Sequence, residues 1–270
     1  MTRYLLRAFV ILYVLALILG PLYMVFSQAL GQGTEQLWAA ITTDAALHAL
    51  KLTILATVVA TVINTIFGIA CALMLVRRRP RGSAFINAII DLPFAVSPIV
   101  VGLALLLTFG INGWFGDFLV GRDITVIYAV PGIVIATVFV TLPFVVREVV
   151  PVLEELGDEQ EQAASTLGAS DWRTFWAITL PSIRWGVAYG VVLTVARALG
   201  EYGAVAVVSG KIAGRTETMT THIEERYQGF DTISVYGSAL VLASLAILVL
   251  GAMTVLGRSA HSHDHLENAR

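Results

Sequence analysis

Charge is scarce in this chain. Asp, Glu, Lys and Arg make up 13% of its 270 residues, against about 25% in soluble domains. With 57% hydrophobic residues and a mean hydropathy of +0.81, that scarcity excludes a water-soluble core of ordinary size. Cysteine is nearly absent: Cys71 is the only one, which excludes disulfides and a cysteine-built metal site. Lying in an apolar stretch, it reads as a small buried hydrophobe. The net charge of -2 points to no class of partner. The basic residues form no aromatic-interleaved face, so nucleic-acid binding has no support. A phosphate-binding loop, G-x-x-x-x-G-K-[ST], is missing as well. At the only Gly-Lys pair, Gly210-Lys211, Val205 stands where the first Gly belongs and Ile212 where Ser or Thr belongs. No nucleophile–base–orienter set is visible, so no residue is assigned as catalytic.

What is present is lipid-soluble. Apolar runs of about 20 residues are the unit that spans a bilayer. Six are read here, roughly Ala8–Phe26, Leu52–Val76, Phe85–Phe109, Ile124–Val146, Gly186–Val208 and Val235–Leu256. They predict an all-α integral membrane protein with one membrane domain over residues 1–256 and a disordered tail over 257–270. The first run is longer than the ~7–15 residues of a signal-peptide core, so it is expected to be a retained helix. Lys and Arg set the orientation. Eleven of them flank one side: Arg3, Arg7, Arg77, Arg78, Arg79, Arg81, Arg147, Arg173, Arg184, Arg258 and Arg270. The other side holds five: Lys51, Arg122, Lys211, Arg215 and Arg226. Both termini are therefore expected to be cytoplasmic. In the longest outer segment, Glu217–Tyr227 is expected to form a short helix near the membrane surface.

Between Gly157 and Pro181 the chain turns polar and reads GDEQEQAASTLGASDWRTFWAITLP. Asp158 followed three residues later by Glu161 is a helix-start signature. Gln162, Ala163, Ala164 and Leu167 continue a short helix, and Gly168 stands where a helix-ending glycine belongs. Ser170 or Asp171 caps a second short helix carrying Trp172, Phe175, Trp176 and Leu180, after which Pro181 opens a span. Such a pair suits contact with a soluble partner. The two alanines let a helix approach a groove closely, Leu167 is an apolar anchor, and Trp172 and Phe175 are types enriched at binding hot spots. By pattern alone, an amphipathic hairpin resting on the bilayer fits equally well.

Polar residues inside the spans are the remaining candidates. Arg197 and Glu201, four apart and hence on one helical face, interrupt the fifth span. They are read either as lining or latching a pathway, or as a static intramembrane salt bridge. Ala196, Gly200 and Ala204 form a small-residue row for close helix packing, and Gly186 with Gly190 form a second. Asp91, Pro93 and Pro98 mark the third span; the prolines can open a kink, and Asp91 is either part of a gate or an interfacial carboxylate. His48 and His222 read as interfacial. His261, His263 and His265 read as a solvated stretch rather than a metal site.

The spacing QAA, three residues, Gly168, nine residues, Ile178-x-Leu180-Pro181 resembles the EAA loop of ABC importer permeases, with Gln162 where that motif has its first Glu and Glu161 beside it. DLPFAVSPIVVGL (Asp91–Leu103), VFVTLPFVVREVVPVL (Val138–Leu153) and LPSIRWGVAYGVVLTVARALGEYGAVAVVSGKI (Leu180–Ile212) are similar to the sulfate/thiosulfate importer permeases, in their W-type branch. The likeness extends over roughly Tyr4–Leu256. Molybdate permeases carry a related Gly-Glu-(Phe/Tyr)-Gly segment.

The resemblance implies the type I ABC importer permease fold and a cytoplasmic coupling loop over residues 157–181. In that loop Gln162, Ala163, Ala164, Leu167 and Gly168 would enter a cleft of the ATPase subunit. It further implies a pore or gate near Arg197, Glu201, Ser209 and Asp91, and a heterodimer with a T-type sister permease. Two ATPase subunits would bind the ATP and Mg, and a periplasmic sulfate/thiosulfate-binding protein would deliver the anion at a bacterial inner membrane. Three other readings stay open: a permease for molybdate, tungstate or another oxyanion, an intramembrane enzyme built on Arg197, Glu201 and Asp91, and a membrane anchor that recruits a soluble protein.

Overall fold

The computed structural model describes residues 2–31 and 33–267, with side chains from Tyr4 to Gly251 except Ala8. Among the described residues there are helices and no strand. α1 (Thr2–Gly31) is apolar on every side, and none of its spanning window is buried inside the protein; such a helix faces lipid or a partner. α2 (Thr34–Ile41) follows, and then α3 (Asp44–Leu73) starts where the Thr43 side chain accepts the Ala46 N–H at 3.3 Å. α3 runs on through a π-helical turn, Met74–Arg78, and ends at Arg79 in the left-handed region (φ 40°). Pro80 follows directly.

The third apolar run is not one straight span. α4 (Ser83–Ala95) and α5 (Pro98–Phe109) meet at 109°, because Ser97 is extended and Pro98 can only begin a new helix there. The kink expected at the prolines is therefore a full break. α6 (Gly116–Val120) is a short turn of helix in the loop beyond. The fourth span was expected from Ile124, but α7 covers Val130–Leu156. Residues 121–129 are non-helical instead, and Pro131 sits in the first helical turn, where its missing N–H costs nothing.

In the polar interlude, α8 spans Glu159–Thr166 and α9 spans Asp171–Thr174. The second short helix and the fifth span are one object. A π-helical turn, Phe175–Thr179, joins α9 to α10 (Leu180–Leu199) without interruption. Pro181 thus opens nothing; the extra residue of a π turn accommodates a proline that cannot donate its N–H to the turn before it. At its other end the fifth run is shorter than expected. α10 stops at Leu199, residues 200–202 are non-helical, and α11 (Gly203–Val208) sets off separately. The row Ala196, Gly200, Ala204 therefore does not exist as a continuous helix face. α12 (Met219–Gln228) occupies the outer segment, started by a capping box between Thr218 and Thr221. α13 (Thr232–Glu267) is the last of the described helices. Its helical backbone runs into the 257–270 stretch expected to be irregular, while the side chains of His261, His263 and His265 lie outside the described residues.

The framework is α3, α7 and α10, packed through small residues. A Cβ on Gly68 would lie 2.7 Å from Val145 Cβ, one on Gly190 2.8 Å from Val145 Cα, and one on Gly186 3.0 Å from the Glu148 carbonyl. The row Gly186/Gly190 is thus a packing device, since backbones approach closely only where side chains are missing. Ala72, Val76, Val145, Val149, Leu153 and Ile183 fill the core at one end. Val101, Ile127, Ala136, Val140, Ala204 and Val208 fill it towards the other. Asn64 ties α3 to α7, donating to Thr141 Oγ1 at 2.8 Å and to the Val138 carbonyl at 3.0 Å.

Candidate functional site

Two polar regions stand at opposite ends of this framework. The first is the interlude. α8 ends in a double-bonded glycine turn: Gly168 N–H donates to the Ser165 carbonyl at 3.0 Å and Ala169 N–H to the Ala164 carbonyl at 3.0 Å. Gly168 sits at φ 84° with open space around it. Its requirement is therefore conformational, a left-handed backbone that L side chains resist. Ser170, not Asp171, caps the next turn by accepting the Arg173 N–H. Leu167 is 89% exposed at the tip. Beside it, Ala164, Gly168, Ala169, Thr174 and Ala177 line a groove of about 330 Å3. Trp172, Phe175 and Trp176 cluster with ring centroids 5.2–6.3 Å apart, Trp176 edge-on to the other two, and both Trp rings are exposed. Gln162 and Ala163 face outward as well. The five residues assigned to partner contact therefore lie together on one small protruding element.

The helix-start signature of this element works differently from its expected form. Asp158 stands at the N-cap without a side-chain bond, and Glu161 does not reach back to it. Instead the Glu161 carboxylate accepts Arg77 Nε at 2.8 Å and Thr179 Oγ1 at 2.7 Å. In the sequence Arg77 is one of a run of arginines and Thr179 one of many threonines in apolar surroundings. No local pattern links positions this far apart in the chain.

The second region surrounds the break after α10. Arg197 Nη1 and Glu201 Oε2 pair at 2.6 Å, although Glu201 lies beyond the helix end. Glu201 is buried and does more than neutralise: its Oε1 accepts the Ala204 N–H at 2.9 Å, capping α11, and its carbonyl accepts Thr220 Oγ1 at 2.8 Å. Arg197 keeps a side chain 34% exposed. α11 lies on α5, with Gly203 against Pro98 and Gly102 against Val207 and the Ala204 carbonyl, so the two broken spans support each other. Ser209 is fully buried; its carbonyl accepts Thr216 Oγ1 at 2.6 Å, and its hydroxyl accepts the Lys211 N–H at 3.2 Å. Asp91 is not in this group. It pairs with Arg147, whose Nε donates to Oδ1 at 2.8 Å, on a half-exposed face between α4 and α7.

Outside the break, the segment leading to α12 is held by charge pairs. Lys211 Nζ meets Glu224 Oε2 at 2.5 Å, which holds the lysine above its ordinary value. Gly210-Lys211 thus forms a left-handed turn (φ 68° and 52°) whose cation is bound to a carboxylate. His222, expected at the interface, is buried instead, its Nδ1 2.9 Å from Glu217 Oε1. Burial pushes the Glu217 carboxyl up, but the His222 hydrogen bond and charge outweigh it and leave the group below its ordinary range. Met219 N–H donates to Thr53 Oγ1 at 2.8 Å, and His48 Nε2 lies 3.2 Å from the Arg215 carbonyl. This outer segment is therefore stitched to the start of α3.

Residues 64–261 match the model of a family described as "Binding-protein-dependent transport system inner membrane component". The sulfate transport system permease protein CysW of Synechocystis sp. is 47% identical over 261 residues, 97% of this chain and 95% of that protein. CysT of Escherichia coli, also named a sulfate transport system permease protein, is 39% identical over 246 residues, 91% of this chain and 89% of that one. Among solved structures, a bacterial alginate ABC transporter in complex with a pentasaccharide-bound periplasmic protein superposes with a TM-score of 0.74. Its identity is 18%, and the match covers 96% of this chain and 94% of that one. The expected fold is therefore the observed one: among the described residues five to six helices are long and apolar enough to cross a membrane, and the chain superposes over nearly its whole length on a bacterial ABC transporter. The chain is a multi-pass membrane permease subunit, and it belongs to the family of binding-protein-dependent transport system inner membrane components.

Proposed function

We propose that this chain is the W-type permease subunit of an ATP-driven sulfate/thiosulfate importer in a bacterial inner membrane. The observation that carries this reading is the 47% identity over 97% of the chain to a sulfate permease. A T-type sister completes the pathway, since a T-type relative is similar along nearly the same length and homologous permeases form matching halves. α8 and the exposed Leu167 seat in a cleft of an ATPase subunit, one per permease, and both termini share that cytoplasmic side. ATP and Mg belong to those partners, because this chain has no phosphate-binding loop and its Gly-Lys turn is engaged by Glu224. A periplasmic binding protein presents the anion at the end formed by α12 and the α5–α6 loop.

The mechanism is alternating access. Closure of the ATPases draws the two α8 elements together. The continuous rod from Asp171 to Leu199 carries that motion to the break at residues 200–202, where Arg197, Glu201 and Ser209 hold the gate. Inverting such an equilibrium from 1:99 to 99:1 takes about 5.5 kcal/mol, which nucleotide binding by the partners supplies. One half-exposed arginine, already paired with Glu201, suits a path that must release a dianion rather than trap it.

The test is ATP-dependent uptake of labelled sulfate, molybdate and phosphate by proteoliposomes holding all subunits. Sulfate uptake dependent on ATP and binding protein is expected; uptake of molybdate without sulfate would overturn the substrate assignment. In the same assay Gly168→Asp abolishes uptake while the chain still inserts.

A further inference from the structure

Glu161 stands apart from the five residues assigned to ATPase contact: its carboxylate turns back into its own chain. Arg77 grips both of its oxygens, Nε to Oε2 at 2.8 Å and Nη2 to Oε1 at 3.3 Å. The same guanidinium donates to the Leu153 carbonyl at 3.0 Å and the Gly157 carbonyl at 2.7 Å, at the end of α7 where helical carbonyls lack partners. Thr179 Oγ1 donates to Glu161 Oε1 at 2.7 Å. One ion pair therefore joins α8 to the ends of α3, α7 and α10.

Three further observations give the pair weight. Arg77 lies in one π-helical turn, Met74–Arg78, and Thr179 closes another, Phe175–Thr179; π turns recur at functional sites because the extra residue re-aims side chains. Both charged side chains are largely covered, at 18% and 20% exposure, so solvent screens the pair less than a surface bridge. Finally, α8 has no other firm anchor. None of its residues is buried, and it hangs between Gly157 (φ 64°) and Gly168 (φ 84°), each with nothing within 4 Å of a would-be Cβ. A helix tethered by two glycines would swivel under load.

We infer that Arg77, Glu161 and Thr179 are positioning residues that lock α8 to the bundle, so that displacement of α8 moves α3, α7 and α10 instead of bending the loop. This rests on the coupling role proposed for α8. Arginine is required because only its planar fork serves a carboxylate and two carbonyls together.

The experiment measures labelled sulfate imported per ATP hydrolysed, with co-purification of the ATPase subunits, in the full complex. Glu161→Gln and Arg77→Lys are expected to lower that ratio roughly tenfold, within the range of ordinary coupling energies, while the ATPases stay bound. Thr179→Val lowers it too, and Thr179→Ser, which keeps the hydroxyl, restores it. Gly168→Asp instead loses the ATPases. A wild-type ratio in Glu161→Gln and Thr179→Val, with Gly168→Asp inactive, overturns the clamp alone. ATPases bound and transport intact in Gly168→Asp overturn the coupling role itself. If Glu161→Gln fails to insert, Thr179→Val decides, and a normal ratio there overturns the clamp.

Discussion

Val145 is held between two glycines, and this contact sets how closely α3, α7 and α10 approach. At Gly190 an added methyl would meet the Val145 Cα at 2.8 Å, an atom that cannot rotate aside. Gly190→Ala is expected to lower stability by about 1–3 kcal/mol, read as a lower unfolding temperature in detergent. Gly20→Ala on α1, with nothing within 4 Å, is the control. It should be neutral or slightly stabilising, since alanine is favoured over glycine in helices by up to ~1 kcal/mol. Equal effects at the two sites would refute the packing account. The glycine row Gly186/Gly190 was legible as spacing, and so was the left-handed need at Gly168. The partners of Glu161 were not. Arg77 and Thr179 lie 84 and 18 residues away, and hydrophobic periodicity carries no information about which polar tips converge. Burial of His222 is hidden for the same reason: a histidine in a polar stretch reads as wet, and only the fold sets it against Glu217.

The outer element α12 depends on charge pairs that titrate. Burial raises the Glu224 carboxyl, but hydrogen bonds from Lys211 and Tyr202 outweigh it and hold the group below its ordinary 4.5. A depressed carboxylate contributes stability that is complete above 4.5 and is lost as pH falls through the folded value. Lys211 is held above 10.5 by Glu224; its contribution is complete below 10.5 and fades only as pH rises past the folded value. Between these limits the pair is intact. Acidification below pH 4.5 should therefore lower the unfolding temperature of the purified protein. Glu224→Gln should lower it at neutral pH and remove part of the acid-dependent fall. An acid limb identical in the variant would show that Glu224 does not anchor α12. Among the elements, the short helix in 217–227 and the interlude helix were readable because each is a polar segment between apolar runs, and the interlude helix also ends at Gly168 in a left-handed turn. The breaks in the third and fifth spans were less so. An apolar run stays apolar across a break, and the glycines at 200 and 203 look the same whether they pack a straight helix or end one.

Considered whole, the molecule has a charged-fork end near Arg77 and Glu161 and an outer end near Thr53, Met219 and Arg215. From the excess of Lys and Arg the first end is expected on the cytoplasmic side. Because Cys71 is buried, single-cysteine reporters are practicable. Leu167→Cys and Phe230→Cys, at side chains 89% and 92% exposed, should react with an impermeant thiol reagent from opposite faces of sealed vesicles. Labelling of both from one face would overturn the topology. α1 buries none of its spanning window within the protomer, so its cover is lipid or another protein chain.

The sequence by itself determined the solvent of this protein, its crossing runs, its orientation bias and the helix pair that protrudes from it. Those properties follow from composition, period and local capping, which act over a few residues. Only the tertiary structure decided where the apolar runs break, that α9 and α10 are one rod, that Glu201 caps α11 while pairing with Arg197, and that Glu161 fastens α8 to three helices. The clamp on α8 depends on groups 84 and 18 residues apart meeting within about 3 Å, the range over which a hydrogen bond acts. The breaks, the rod and the Glu201 cap are made by near neighbours in the chain, but whether a run stays straight or breaks there is fixed by packing rather than by pattern.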